Sequence, residues 1–253
     1  MSGPLPSGPI PAGPLGFFRA QHQAFHAVLK TRGRRPDLIE GLLSQAVRAF
    51  DANVELQAKN EPPIDCGKGC SACCTLRVMA TAPEIFLVAR YIREVDAALK
   101  ARGIDLPARI AQMAADTKDL SEEQRLHLRR PCPFIFKGIC LIHAVRPLAC
   151  RGLASHDRRA CADAAAGRSD HVPTSQAHLT VRGLVQNALQ AALRQDELPW
   201  AAYELNQALT LELASEPSLF DAWSQGEDVF APALIPDQDL EDMARTFDQI
   251  ATG

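Results

Sequence analysis

The sequence predicts a mainly α-helical protein whose helices frame an irregular, cysteine-rich core carrying a small β-hairpin. Three observations predict it. Apolar residues recur at three- and four-residue intervals on both sides of the middle of the chain. The middle itself, residues 62–81 and 131–163, is short on regular periodicity. All eight cysteines fall in those two stretches, four of them within CGKGCSACC at residues 66–74.

The elements follow in order. Residues 1–16 are rich in Gly and Pro, which rule out a helix or a central strand, so this segment is read as disordered. From Phe17 the apolar positions Phe17, Phe18, Phe25 and Val28 and then Leu38, Leu42, Leu43, Val47, Phe50 and Val54 predict two amphipathic helices, broken at Gly33 and Pro36. His22 and His26 sit one turn apart, but with no third ligand nearby they are read as exposed helix histidines. Thr81-Ala-Pro-Glu84 has the form of a capping box with proline in the first turn, and predicts a helix through Ile85, Val88, Ile92 and Leu99 to near Gly103. A shorter helix is expected over 107–117, and Ser121-Glu-Glu-Gln124 caps another. CPFIFKGICLI places two short apolar runs around Lys137-Gly138, the pattern of a hairpin. Beyond residue 175 the pattern is helical again, with breaks at Pro199, Pro217, Pro232 and Pro236. The chain therefore divides into the N-terminal segment 1–16, a helical domain 17–195 whose cysteine core spans 64–163, and an acidic helical extension 196–253.

Composition narrows the function classes. With 47% hydrophobic and 23% charged residues and a net charge of −3, the chain has no global bias toward nucleic acid or an anionic membrane. MSGPLPSGPIPAGPLG has neither a basic n-region nor an apolar h-region, and no apolar run reaches the ~18–20 residues of a spanning helix. The expected setting is cytoplasmic, without a membrane partner. Charge is unevenly placed: Arg125 to Arg159 holds eight basic residues and one acid, whereas Gln195 to Gly253 holds thirteen acids and one base. The acidic stretch is read as a solvated helical face in preference to a surface docked on the basic module.

In a reducing compartment clustered thiols hold metal more often than they form disulfides. The candidate ligands are Cys66, Cys70, Cys73, Cys74, Cys132, Cys140, Cys150 and Cys161, spaced C-x3-C-x2-C-C and then C-x7-C-x9-C-x10-C. Gaps of two and three residues let successive sulfurs turn back toward one point, and Gly67 and Gly69 permit the tight backbone this requires. Adjacent side chains diverge, so Cys73 and Cys74 are poorly placed to complete one tetrahedron together. They serve two centres, or one bridges two ions, or one is merely buried. Four thiolates around a divalent ion leave a formal negative charge, for which Lys68, Arg77, Arg146 and Arg151 are the nearby counter-charges.

C-x3-C-x2-C-C, then CPFIFKGIC, then LIHAVRPLACR, resembles the CxxCxxCC (YkgJ-type) cysteine-cluster family, described as zinc- or iron-chelating. The resemblance covers residues 64–163 and joins Cys66, Cys70, Cys73 and Cys74 to Cys132-Pro133, Gly138, Cys140, Arg146-Pro147 and Cys150-Arg151. RGLASHDRRAC resembles an extension of that core ending at Cys161. His143 stands where a tyrosine is common, and whether His143 or His156 is a ligand stays open. The resemblance implies a metal ion as partner, zinc or iron or an iron–sulfur cluster, held in a metal-stapled core; it implies no defined reaction.

Two functions compete. One is a non-catalytic metal-binding protein, with a structural staple as its plainest form. The other is an iron–sulfur enzyme or accessory factor in protein or RNA modification, suggested by the thiol count and the Cys132-Pro133 pair. Nucleic-acid binding by residues 125–159 is opposed by the acidic extension. No activated lone cysteine stands out, and Trp200 and Trp223 are read as core.

Overall fold

The computed structural model describes residues 13–252, so most of the segment read as disordered lies outside the described residues. Helix α1 (Pro14–Arg32) begins with proline in its first turn, where no intrahelical N–H is needed, and so takes in three residues of that segment. It ends at Gly33, whose φ of 58° is left-handed, and Pro36 precedes α2 (Leu38–Gln57). His22 and His26 are half-buried rather than exposed. His22 stacks on Phe18, and burial, then His26, lowers its pKa.

Strand β1 (Met79–Thr81) runs into α3 (Ala82–Lys100), followed by α4 (Leu106–Thr117) and α5 (Glu122–Leu128). The capping boxes expected at Thr81/Glu84 and Ser121/Gln124 both form. The hairpin is β2 (Ile135–Phe136) paired with β3 (Ile139–Cys140), turning through Lys137 and Gly138 at positive φ. Two short helices, α6 (Leu148–Gly152) and α7 (Arg158–Ala165), interrupt the second irregular stretch. The chain then passes through α8 (Gln176–Gln195), β4 (Ala202–Glu204), α9 (Leu205–Ala214), α10 (Phe220–Ser224) and α11 (Leu240–Thr252). The described chain is mainly helical, with two sheets of two strands each. Among the described residues no helix is long and apolar enough to cross a membrane.

Helices α1, α2 and α8 pack on one another through Phe25, Leu29, Leu42, Phe50, Val185 and Leu189. Helices α3, α4 and α9 form a second group around Ile85, Ile92, Ile110 and Leu209. Phe86, Phe220, Trp223 and Phe230 meet ring to ring beneath it, and Trp223 is fully buried, a core residue as expected; Trp200 packs on Phe247. Antiparallel pairing of β1 with β4 joins the start of α3 to the start of α9. Helix α6 packs on α8 and β1, which brings the cysteine stretches onto this helical frame. The acidic extension carries mostly solvated charge, as on α11, but Glu204 makes a buried ion pair with Arg125 of the basic stretch at 3.1 Å.

Candidate functional site

Residues 61–78 have no helix or strand and are folded by successive turns: Cys70 N–H donates to Gly67 O, Cys74 N–H to Ser71 O and Leu76 N–H to Cys73 O. Gly69 at φ 86° and Gly138 at φ 76° take left-handed conformations that a side chain would strain. They also meet, since a Cβ on Gly138 would stand 3.9 Å from the Gly69 backbone. The hairpin tip is thus laid against the CGKGC loop.

Two further ties hold the segments together. Cys132 N–H donates to Cys74 O at 2.6 Å. At the other end Asp65 N–H donates to Ser155 O at 2.9 Å, Arg158 N–H donates to the Asp65 carboxylate at 2.9 Å, and the Arg158 guanidinium donates to Asp65 O. That clamp seats α7, and with it Cys161 one turn along, beside Cys66. Cys150 lies on α6, whose first N–H, that of Leu148, donates to the buried Glu84 carboxylate at 2.7 Å.

The thiols are close enough to feel one another's charge. Cys66 is within the field of Cys70, Cys73 and Cys161. Cys74 is within that of Cys73, Cys132 and Cys150, and Cys150 also faces Cys140. All eight are free thiols, Cys66 and Cys73 exposed and the other six half-buried. Burial pushes Cys132 up to about 12 and raises Cys66, Cys140 and Cys150. A hydrogen bond between the neighbours Cys73 and Cys74 lowers the first and raises the second.

Several groups oppose burial by favouring thiolate. Ser155 N–H donates to Cys66 Sγ at 3.3 Å, and the backbones of Phe134 and Ile142 hydrogen-bond to Cys132 and Cys140. Arg146 favours the charged form of Cys73, Cys140 and Cys150, and its buried Nε has no hydrogen-bond partner among the described residues. Of the other expected counter-charges, Arg151 donates to the carbonyls of Arg146 and Ala144, while Arg77 is taken up by Glu122 at 2.5 Å. Arg182 on α8, well outside residues 64–163, lies within the field of Cys150 and Glu84. No sequence signal marked it, since it is one arginine on an ordinary amphipathic helix.

His143 is exposed, and the charge of Arg146, then burial, lowers its pKa. His156 places Nε2 3.6 Å from the Glu61 carboxylate and Nδ1 3.3 Å from Pro63 O. A cavity of about 20 Å³ adjoins Cys74 and Cys132, with Arg125 and Asn206 on its wall. Arg125 Nε and Asn206 Oδ1, a donor and an acceptor, have no partner among the described residues, and the space suits one water-sized polar group.

Soft sulfurs, N–H groups aimed at three of them and Arg146 beside them are the donor chemistry a thiophilic cation would need, but their geometry does not fit one. The sulfurs as they stand are not drawn to one point, and among the described residues no three His, Cys, Asp or Glu side chains are grouped so that they could hold a metal ion. No protein-family model, curated protein or solved structure matches the chain.

Proposed function

We propose that this protein is a metal-binding protein that chelates zinc or iron through its multi-cysteine cluster, as the CxxCxxCC resemblance implies. One observation carries the reading. Eight free thiols from the 61–78 loop, the hairpin and the segment leading into it, α6 and α7 neighbour one another, with backbone N–H groups directed at three of them. Thiols kept protonated by burial and crowding gain a use for that crowding when a cation takes the protons' place. The irregular 61–78 loop can adjust to draw the sulfurs together, since its backbone is fixed by turns and not by a sheet or helix.

The test is anaerobic purification of the full chain, with elemental analysis and a visible absorption spectrum. Bound zinc with no colour supports a thiolate zinc protein. Iron with sulfide and a visible chromophore supports the iron–sulfur form of the same ligand set. Metal-free protein that is fully folded with eight titratable thiols overturns the proposal. Cys70→Ser and Cys73→Ser are each expected to lower metal content and stability together.

A further inference from the structure

Adjacent residues are expected to turn their side chains apart, yet Cys73 and Cys74 share a side-chain hydrogen bond, so their sulfurs are neighbours. Other thiols have backbone partners instead: Cys66 is bonded to Ser155, Cys132 to Phe134 and Cys140 to Ile142. Cys73 is exposed, Cys74 is half-buried, and both are free. The pair therefore offers one sulfur to solvent and holds a second beside it.

The peptide unit between them is fixed by turns. Cys74 N–H donates to Ser71 O at 3.0 Å, and Cys73 O accepts from Leu76 N–H at 3.2 Å. Residues 61–78 contain no helix, no strand and no buried residue, so this unit can twist without moving the helical core. A bond between the two sulfurs requires such a twist. Cα atoms across one trans peptide stand about 3.8 Å apart, closer than the roughly 4.4–6.8 Å usual for disulfides. A disulfide closed under that strain is readily reduced again.

We propose that Cys73 and Cys74 form a reversible oxidation site, at which a hydroperoxide converts the two thiols to a disulfide between adjacent residues. The exposed Cys73 sulfur attacks the hydroperoxide: an S–O bond forms as the O–O bond breaks, and the thiol proton leaves with the alcohol, or with water when the oxidant is hydrogen peroxide. The Cys74 sulfur then attacks that of Cys73. The S–S bond forms as the S–O bond breaks, and the departing hydroxide takes the Cys74 proton as water. The two sulfurs give up two electrons and the hydroperoxide accepts them. The site does not rest on the metal-binding reading; under that reading, closing the bond withdraws two of the eight sulfurs from the ligand set.

The test treats the full chain with hydrogen peroxide, both as purified and after a chelator, then blocks the remaining thiols with iodoacetamide and weighs the tryptic peptides without reductant. Cleavage after Lys68 and Arg77 places Cys70, Cys73 and Cys74 in one peptide. The expected product is that peptide two hydrogens lighter with a single blocked thiol, and dithiothreitol restores all three thiols. Cys70→Ser should close the same bond and leave its peptide with no thiol to block. In Cys74→Ser the oxidation should stop at a sulfenic acid on Cys73, captured by dimedone. Three results would each overturn the proposal: Cys73 or Cys74 linked to a different peptide, a Cys70→Ser protein in which both thiols stay blockable, or a wild-type chain in which all three stay blockable with and without the chelator.

Discussion

The backbone N–H of Cys132 donates to the carbonyl of Cys74 at 2.6 Å, tying together two loops fifty-eight positions apart. Neither loop has a helix or sheet to protect that bond, so its persistence depends on what else holds the segments. If Cys74 and Cys132 share a cation, stripping the metal frees both loops to open. Amide hydrogen exchange at Cys132 should then accelerate by about tenfold or more on chelation, equivalent to about 1.4 kcal/mol of local stability. Exchange that is the same with and without metal would mean that the backbone alone secures the junction.

A second prediction concerns Arg125 and Glu204, both almost completely buried and 3.1 Å apart. The carboxylate also accepts from Asn206 Nδ2 and caps α9 through Gln207 N–H. Arg125→Met strands that charge in the interior, and removing one partner of such a pair costs about 3–5 kcal/mol. Adding Glu204→Gln removes the charge and can retain the cap, so the double variant should recover a large part of the loss. Urea denaturation of wild type, single and double variants checks this. A double variant less stable than Arg125→Met would contradict the assignment of the cost to an unpaired carboxylate.

Glu84 shows what the sequence reveals and what it hides. Its place three residues after Thr81 marks a helix start, and the carboxylate indeed accepts from Thr81 N–H at 2.7 Å. The same carboxylate accepts from Leu148 N–H, sixty-four positions away, and no local pattern announces that. The long helices, both capping boxes and the hairpin were legible because each is set by residues within a few positions of one another. The three-residue pairing of β1 with β4 was not, because strands so short carry no usable alternation. Helices α6 and α7 were hidden for the same reason. The cysteines were legible as a set, but which of them are neighbours was not: Cys161 comes beside Cys66 because α7 docks on Asp65 through Arg158. Arg77, by sequence a neighbour of Cys73 and Cys74, is turned toward Glu122, while Arg182 arrives from a distant helix.

The third prediction is a pH dependence at the start of α8. Ser175 caps this helix, with its hydroxyl 2.5 Å from the Glu61 carboxylate and 2.7 Å from His178 Nδ1. The Ser175 hydrogen bond, with further help from Ala177 N–H, holds the Glu61 carboxyl below its ordinary range despite the cost of burial. A folded pKa below the unfolded one stabilises the protein above the unfolded value of about 4.3 and loses that contribution as pH falls through the folded value. His178, lowered chiefly by burial, acts in the same sense at higher pH, its contribution being lost as pH falls through its own folded value. Ser175→Ala should therefore cost more at pH 7 than at pH 3, where about 1 kcal/mol for the lost cap remains. Chemical denaturation at the two pH values checks this, and an equal cost at both would separate Glu61 from the cap.

The last prediction tests how closely α6 must approach α8. Gly152 ends α6, and a Cβ there would lie 2.5 Å from both Cβ and Cγ of Arg182 and 3.3 Å from His178 O. Cβ of Arg182 is the fixed root of its side chain and cannot swing away, so Gly152→Ala must push α6 off α8. Overpacking of this kind costs about 1–3 kcal/mol. Helix α6 carries Cys150 two residues before the contact, so the displacement also moves its sulfur away from Cys132 and Cys140. Gly152→Ala should be less stable than wild type in chemical denaturation and, if the thiols bind metal as proposed, should release it to a chelator faster. Gly183, on the same α8 helix, has open space around its Cβ position, so Gly183→Ala serves as the control and should leave the release rate as it is. Accelerated release in Gly183→Ala but not in Gly152→Ala would show that the approach of α6 to α8 does not position Cys150.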